Sequence, residues 1–394
     1  MSGSAVNPPA FPGHSAESAA IYLHIPFCRT KCLYCSFNSH AGREDLIAAY
    51  CQALHLEIKA MAGHPWCRGR SFCSLYIGGG TPTICTSAQL AELIGNCLAS
   101  FRFSADPEIT VEANPNSLSA EKLSALRAAG VNRLSIGVQS FVPEDLVRLG
   151  RSHTAQDALQ AMALARNAGF ANINLDLMYG LPGQTTADWR QTLATAAGLN
   201  PEHLSLYELM IEEKTPFAAL LARGEISLPL EDEVADMEEI TAARLVKRGY
   251  RRYEISNYAR EGYQCRHNIN YWQNRSWLGL GAGATGSLSG TRVTNVADPL
   301  DYVQRMTSNQ ERYSSMECLC RQALFRETMI MGLRMLAGVS INELEQRFAI
   351  SPLDYYGAAL RNLLIQGLMI HEKGFLRLSD AALPIANQVL TQLV

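Results

Sequence analysis

The residues with the clearest chemical potential are three cysteines near the N-terminus. Cys28, Cys32 and Cys35 have a C-x3-C-x2-C spacing and follow the apolar segment Ile21–Ile25 directly. A short loop can wrap three thiolates around one iron–sulfur cube, and thiolates are the usual ligands of these clusters. Three ligands leave one iron open to an exchangeable group, as in a catalytic zinc site. The spacing therefore predicts a 4Fe–4S cluster with one open iron.

The spacing alone leaves two alternatives for these cysteines. They could be buried core thiols, or they could hold a structural zinc with His24 or His40 as the fourth ligand. The other eight cysteines have no such spacing and are interpreted as ordinary thiols: Cys51, Cys67, Cys73, Cys85, Cys97, Cys265, Cys318 and Cys320. The odd total of eleven argues against a disulfide framework and favours a reducing compartment.

The composition is that of a globular protein with a sizeable core. Of 394 residues, 47% are apolar and 18% charged, which allows two or three domains. The net charge of −3 does not favour nucleic acid as a partner. No apolar stretch approaches the roughly 18 residues of a membrane span, and the N-terminus lacks a secretory pattern. We therefore expect a cytoplasmic protein with a loose tail at 1–19.

The first half of the chain alternates short apolar segments with amphipathic helices. The predicted strands are Ile21–Ile25, Leu75–Ile77, Ile109–Ala113, Leu134–Val138, Ile173–Met178 and Leu204–Leu209. The predicted helices lie near 44–61, 88–101, 119–129, 155–168 and 186–198. Six such units imply a parallel sheet with right-handed crossovers, so we expect an α/β fold with a partial (β/α)6 TIM-like barrel over 20–225. Chemistry in such barrels gathers at the C-terminal ends of the strands.

Polar residues follow these predicted strands at the expected end. The run Gly78-Gly79-Gly80-Thr81 follows the second strand, where a backbone without side chains can approach a ligand closely. Further polar residues close the next strands: Glu112, Gln139, Ser140, Asp176 and Tyr207. Each alone could be a turn or a hydrogen-bonded core residue, because buried polar groups require partners. Together they predict the lining of a pocket.

The second half is organised differently. A helix at 231–248 and a strand at Tyr253–Ser256 are predicted, followed by a segment rich in Asn, Gly, Tyr and Trp. Residues 226–300 are interpreted as an extension of the barrel. The last part, 301–394, predicts a small α+β, winged-helix-like domain. Its helices lie near 321–336, 341–348 and 353–366, and a hairpin at Leu368–Leu378 turns at Lys373-Gly374. It has no basic face, so DNA binding is not expected.

The cysteine triplet and the preceding Tyr22-Leu-His-Ile-Pro-Phe resemble the radical S-adenosylmethionine (SAM) superfamily. The branch indicated is the one containing oxygen-independent coproporphyrinogen oxidase and the heme chaperone HemW, and the resemblance runs from about residue 20 to the C-terminus. It implies a cluster on the three cysteines and SAM on the open iron, split by one electron into methionine and a 5′-deoxyadenosyl radical. The positions it implies for SAM binding are Tyr22, Tyr34, Gly78, Gly79, Gly80, Thr81, Glu112, Gln139, Arg151 and Asp176. For Arg151, a solvated helix end stays the alternative.

Two features of the sequence distinguish between the members of this branch. The oxidase motif continues to a fourth cysteine, and here Phe37 stands at that position. The block from His267 to Trp272 resembles the chaperone members, and it implies His267 as a heme ligand with Tyr271 and Trp272 as flat ring faces. A purely structural role for this block stays open. Cys265 and His203 are rival ligands.

The resemblance therefore implies a heme chaperone that passes heme to acceptor hemoproteins, including membrane-bound ones. Flavodoxin or ferredoxin is the expected electron donor, and the chain is expected to be a monomer or homodimer. No catalytic residue is assigned. Coproporphyrinogen oxidation, or another radical modification of a tetrapyrrole, is the alternative function.

Overall fold

The predicted alternation of strands and helices is confirmed in the computed structural model, which describes residues 18–394. The strands of the first half are β1 Ala19–Ile25, β2 Phe27–Cys28, β3 His40–Ala41, β4 Phe72–Gly79, β5 Phe103–Ala113, β6 Arg133–Gln139, β7 Ile173–Tyr179 and β8 His203–Glu208. The helices are α1 Ile47–Gly63, α2 Ser87–Ser100, α3 Ala120–Ala128, α4 Pro143–Arg148, α5 Ala155–Asn167, α6 Thr186–Gly198 and α7 Pro216–Ala222. Residues 1–17 of the predicted tail lie outside the described residues. Ala19, which was expected in the tail, begins β1.

Three of the barrel helices begin at a threonine that caps them. The side chains of Thr86, Thr154 and Thr185 each accept a hydrogen bond from the backbone N–H three residues later. The residue at that third position returns a side-chain bond to the threonine N–H in each case, which completes a capping box. Local sequence therefore sets where α2, α5 and α6 start.

Six parallel strands form the centre of a large open sheet. They stand side by side in the order β1, β4, β5, β6, β7, β8, so their C-terminal ends share one edge. The remaining strands and helices up to residue 318 are α8 Glu231–Val246, β9 Arg251–Arg252, β10 Asn257–Ala259, α9 Arg266–Trp272, β11 Trp277–Leu280, β12 Thr285–Leu288, β13 Thr291–Asn295, α10 Pro299–Thr307 and β14 Tyr313–Cys318. Within the described residues, the outermost strands β14 and β9 do not pair, so the barrel is partial, as predicted.

The sheet continues past β1 in a way that the sequence did not predict. Strand β11 pairs parallel with β1, and β12, β13 and β14 follow as antiparallel neighbours. The turn after β11 therefore lies at the same edge of the sheet as the cysteine loop after β1. The predicted strand Tyr253–Ser256 is wrong. These residues form the turn between β9 and β10, where the Tyr253 N–H donates to the carbonyl of Asn257.

The C-terminal residues form a separate apolar core beside the sheet. The elements are α11 Arg321–Gly332, β15 Val339–Ser340, α12 Ile341–Phe348, α13 Pro352–Ile365, β16 Met369–Glu372, β17 Phe375–Leu378 and α14 Ala386–Leu390. Strands β16 and β17 form the predicted hairpin. Lys373 and Gly374, with φ of 52° and 78°, form its turn. Helices followed by this hairpin, with β15 paired to β17 as a third strand, match the predicted winged-helix-like architecture.

Helices of membrane-spanning length and hydropathy do not occur in the part of the chain that the structure describes.

Candidate functional site

The loop that carries the cysteines is fixed by hydrogen bonds at both sides. His24 Nε2 donates to the carbonyl of Asn38 at 2.8 Å, and Lys31 Nζ donates to the carbonyls of Phe37 and Ser39 at 3.2 Å each. The Asn38 side chain donates in turn to the carbonyls of residues 282 and 297, at 3.1 and 3.0 Å. The loop is thus bound to β1 and to the extension of the sheet.

Cys28, Cys32 and Cys35 are free, half-buried, and line one cavity. Thr81 Oγ1 donates to Cys28 Sγ at 3.6 Å, and Arg151 Nη1 donates to Cys32 Sγ at 3.3 Å. Burial raises the pKa of the Cys28 thiol, and the Thr81 hydrogen bond acts in the opposite direction. Donors aimed at the sulfur atoms favour thiolates, which is the form that iron binds. The three side chains therefore fit a cluster in their chemistry.

A single zinc ion fits this loop less well. In residues 18–394, no three His, Cys, Asp or Glu side chains are grouped to hold one metal ion. His24 and His40, the proposed fourth ligands, both bond to Asn38 through Nε2. In a 4Fe–4S cube each thiolate binds a different iron, so the sulfurs need not converge on one point. The geometry favours the cube over zinc.

The glycine run packs directly against the cysteine loop. A Cβ on Gly79, whose φ is +119°, would lie 2.6 Å from the His24 ring. A Cβ on Gly80 would lie 2.6 Å from the Phe27 carbonyl oxygen and 2.9 Å from Cys28 Sγ. A side chain at either position would displace the loop, and the Gly80 N–H donates to the Ile25 carbonyl at 2.9 Å.

Glu112 closes β5 beside the glycine run. Its carboxylate accepts hydrogen bonds from the Tyr76 hydroxyl at 2.8 Å and from the Gly79 N–H at 3.1 Å. Burial raises its pKa to about 7, and the nearby Asp176 adds to the rise. A carboxyl in a cavity with a pKa near 7 is typical of functional sites.

Asp176, on β7, lines the same cavity as the cysteines. Its carboxylate accepts from Ser135 Oγ at 3.1 Å and from Asn174 Nδ2 at 2.8 Å. Burial raises its pKa, whereas the Arg133 guanidinium lowers it. Gln139 ends β6 with a φ of 68°, a left-handed conformation that is unusual for a residue other than glycine.

Arg151 faces the cavity rather than solvent. Its Nη2 donates to Asn114 Oδ1 at 2.6 Å and to the Gly137 carbonyl at 2.7 Å, while Nη1 faces Cys32. The alternative of a solvated helix end is thereby overturned. Arg133 and Asn114, which also line this cavity, were not predicted, because an arginine that begins a strand has no distinguishing pattern.

Two cavities of similar size meet at this edge of the sheet. The larger, of about 440 Å³, contains the cysteine triplet and eight of the predicted SAM-binding residues. These eight are Tyr34, Gly79, Gly80, Thr81, Glu112, Gln139, Arg151 and Asp176. Tyr22 lines the smaller cavity, of about 380 Å³, and Gly78 lies behind both, against Glu112. Ser140 is buried behind the strand end, and Tyr207 lies in the larger cavity.

The residues that were expected to bind heme do not lie together at one cavity. His267 is buried, with Nδ1 paired to Ser74 Oγ at 2.9 Å and Nε2 to the Tyr271 hydroxyl at 3.0 Å. Burial lowers its pKa to about 3. Both ring nitrogens are occupied, so His267 offers iron no open position in this arrangement. Trp272 lies outside both cavities, with the Arg334 guanidinium 4.8 Å from its ring centre. Within the block, Tyr271 lines one cavity and Asn268 lines the other.

The rival ligands also have internal partners. His203 pairs with Asn174 at 2.6 Å and with the Tyr253 hydroxyl at 2.9 Å. Cys265 is buried and donates to Glu108 at 3.4 Å. Both stabilise the barrel interior.

Comparison with known proteins shows the family of the chain. Residues 22–196 match the radical SAM superfamily model, and residues 319–385 match the HemN C-terminal domain. The chain is 39% identical to the heme chaperone HemW of Bacillus subtilis, over 93% of this chain and 95% of that protein. It is 40% identical to the heme chaperone HemW of Escherichia coli, over 72% of this chain and 75% of that protein.

Among solved structures, the chain resembles the coproporphyrinogen III oxidase HemN of Escherichia coli, a radical SAM enzyme. The TM-score is 0.84 at 26% identity, over 97% of this chain and 91% of that one. The fold is thus shared with HemN over nearly the whole chain. The chain belongs to the HemN/HemW branch of the radical SAM superfamily.

Proposed function

We propose that this protein binds heme and passes it to acceptor hemoproteins, with a 4Fe–4S cluster on Cys28, Cys32 and Cys35 and SAM beside it. The observation that carries the proposal is Phe37. This residue stands where the oxidase motif has its fourth cysteine, and its ring is 67% exposed on the wall of both cavities. A phenyl ring cannot bind iron, but it can pack against a flat apolar ligand. The names of the HemW relatives support heme as that ligand.

The cavity residues fit SAM through complementary charge and hydrogen bonding. The Arg151 guanidinium lines the larger cavity and is always charged, which suits a carboxylate. The bare backbone of Gly79 and Gly80 is suited to the amino group, and the carboxyls of Glu112 and Asp176 are suited to hydroxyl donors. When bound, the cluster and SAM supply one-electron reductive chemistry. The surrounding chain orients them and restricts access of water.

The wider setting follows from this proposal. Acceptor hemoproteins, some of them in membranes, would take the heme, and a flavodoxin or ferredoxin would reduce the cluster. The proposed location is the cytoplasm, with the chain acting as a monomer or homodimer.

A second candidate is coproporphyrinogen oxidation, because the likeness to HemN covers nearly the whole chain. One experiment separates the two functions. Anaerobically reconstituted protein is incubated with coproporphyrinogen, reductant and SAM, and is then titrated with heme. We expect stoichiometric heme binding and no protoporphyrinogen. Formation of protoporphyrinogen above the level of a Cys28→Ala, Cys32→Ala, Cys35→Ala control would overturn the chaperone proposal.

A further inference from the structure

The outermost strand β14 exposes a row of sulfur-containing side chains. The segment from residue 316 to residue 320 reads Met-Glu-Cys-Leu-Cys. Met316 is 53% exposed, and Cys318 and Cys320 are exposed and free. These three residues line neither of the two cavities. Although the sequence alone led us to interpret both cysteines as ordinary thiols, their exposure and their M-x-C-x-C spacing indicate more than core packing.

The extended backbone places these side chains on one face of β14. Residues two apart in a strand share a face and are about 6.6 Å apart along the chain, which holds for Met316 and Cys318. The pairing with β13 continues past the strand end, because the Leu319 N–H donates to a β13-side carbonyl at 2.9 Å. Cys320 is extended as well, with φ of −69° and ψ of 161°. The three sulfur atoms therefore form a continuous row.

The residue opposite Cys318 has a polar atom without a partner. Thr291 of β13 pairs with Cys318, and directly opposed residues of an antiparallel pair share a face, with Cβ atoms about 5 Å apart. Thr291 is 7% exposed, and its Oγ1 has no hydrogen-bond partner in the described chain. A buried hydroxyl without a partner costs free energy. A ligand held at Cys318, or water bound to that ligand, would supply the missing contact.

Cys320 stands at the start of α11, a helix whose first turn lacks the usual compensation. The Cys320 side chain makes no capping hydrogen bond, and the first turn of this helix contains no acidic residue. The helices α2, α5 and α6, by contrast, begin with complete capping boxes. The first N–H groups of α11 therefore keep their partial positive charge, which favours a negatively charged group such as a metal-bound thiolate at Cys320.

The donor set indicates which ion this row of sulfur atoms suits. Thiolates and thioethers are soft ligands, which suit Cu(I), zinc and iron–sulfur clusters. A structural zinc ion takes four ligands, and within residues 18–394 no three His, Cys, Asp or Glu side chains are grouped to hold one metal ion. A cluster likewise needs more thiolates than β14 provides. Cu(I) is satisfied by two thiolates, with a thioether as an additional ligand.

We propose that Met316, Cys318 and Cys320 form a surface site for one Cu(I) ion. Each cysteine releases its thiol proton to solvent and forms one Cu–S bond, and the Met316 thioether adds a neutral ligand. No electron is transferred, so the binding step needs no oxidant or reductant. Four strand spacings, roughly 19 Å across the sheet, separate β14 from β1, so this site is distinct from the cysteine loop.

The test is a Cu(I) titration of anaerobic, cluster-loaded protein in competition with bicinchoninate. We expect one Cu(I) per chain, with the iron content unchanged. Cys318→Ser and Cys320→Ser should each remove this Cu(I), whereas Met316→Leu should weaken the Cu(I) affinity less, by about tenfold. Cys73→Ser removes a half-buried thiol on β4 and is the matched control, which should bind Cu(I) like the wild type. Thermal unfolding of each variant shows that the fold is intact.

Three results would overturn this site. The first is Cu(I) binding of wild-type strength in the double variant Cys318→Ser, Cys320→Ser. The second is copper uptake accompanied by an equal loss of iron, which would place the ion at the cluster cysteines. The third is zinc binding as tight as Cu(I) binding in the wild type and absent from the double variant, which would contradict the choice of ion. X-ray absorption of the copper-loaded wild type should show sulfur ligands only.

Discussion

At the scale of single residues, the fold controls the charge of Glu112. Its carboxyl lies between the two cavities, bonded to Tyr76 and to the Gly79 N–H, and its pKa is raised to about 7 by burial. The native state therefore favours the neutral form. The stability contributed by this group is complete below the unfolded-state pKa of about 4.3 and is lost as the pH rises through about 7.

We expect Glu112→Gln to reveal this dependence. The free energy of unfolding of the variant, relative to the wild type, should rise by about 1–2 kcal/mol between pH 5 and pH 8.5, since the wild type alone must ionise a buried carboxyl. This change is smaller than the free energy that corresponds to the whole pKa shift, because the carboxyl faces an accessible cavity. Denaturant titrations of the protein without cofactors measure it, with exposed Glu121→Gln as the control. A difference that does not change with pH would contradict the assignment.

Phe37 bears on function more than on stability. Phe37→Cys restores the fourth cysteine of the oxidase motif at a site that is 67% exposed, so the unfolding free energy should change by no more than about 0.5 kcal/mol. We expect the iron content to stay the same and the heme affinity to fall, because the ring is lost. No coproporphyrinogen should be consumed. Protoporphyrinogen production by this variant would show that Phe37 alone separates the two functions.

At the scale of elements, the site depends on how β4 ends against β2. Gly80 has no room for a side chain, because a Cβ would meet the Phe27 carbonyl and Cys28 Sγ. The loop that carries Cys28 would have to move to accommodate it.

Two glycine substitutions test this contact. Gly80→Ala should reduce the iron retained after reconstitution by more than half, since the first cluster ligand is displaced. Gly95→Ala is the matched control, because Gly95 lies within α2 with no atom in reach of an added Cβ. There, alanine should stabilise the protein by about 0.5–1 kcal/mol. Equal iron content in the two variants, measured against protein concentration, would contradict this account of the loop.

The sequence predicted the six barrel strands and five of the helices between them because hydrophobic periodicity is strong there. The threonine caps that start three of these helices are local in sequence, but they were recognised only in the structure. The sequence did not predict α9. This short helix begins where the N–H groups of Arg266 and His267 donate to Glu108, a residue more than 150 positions away. Such a tertiary cap leaves no local pattern.

The candidate site likewise contains residues that the sequence predicted and residues that it did not. The cysteines, the glycine run and Glu112 stand at predicted strand ends and meet as expected. Trp277, which lines the smaller cavity, was missed because β11 has four residues with no alternation, and its place beside β1 depends on long-range pairing. For His267, sequence could indicate a special residue but not that Ser74 and Tyr271 occupy both its nitrogens.

At the scale of the molecule, one buried ion pair joins α1 of the barrel to the segment between α10 and β14. Glu57 of α1 is fully buried and accepts from Arg312 Nε at 2.8 Å, Tyr302 at 2.6 Å and Asn295 at 2.8 Å. It also accepts the Gly281 N–H at 2.7 Å, at the turn that leads to the cavity wall.

Removal of the arginine should therefore be costly. Arg312→Met leaves a buried carboxylate without its cation, and we expect a loss of about 3 kcal/mol in unfolding free energy. Arg305→Met, which breaks a more exposed ion pair with Asp301, should cost less than about 1 kcal/mol. Chemical denaturation of both variants measures the two losses. Similar losses would show that Glu57 does not hold the extension in place.

The proposed role of the chain is to deliver heme rather than to make porphyrin. Its most direct test is the transfer of heme from loaded, cluster-containing protein to membranes that carry an apo-cytochrome, followed by the cytochrome absorption band. We predict that the acceptor fills faster than with an equal concentration of free heme, and that the triple cysteine-to-alanine variant loads heme but does not accelerate transfer. An acceptor that fills no faster from the loaded protein than from free heme would contradict heme delivery by this protein.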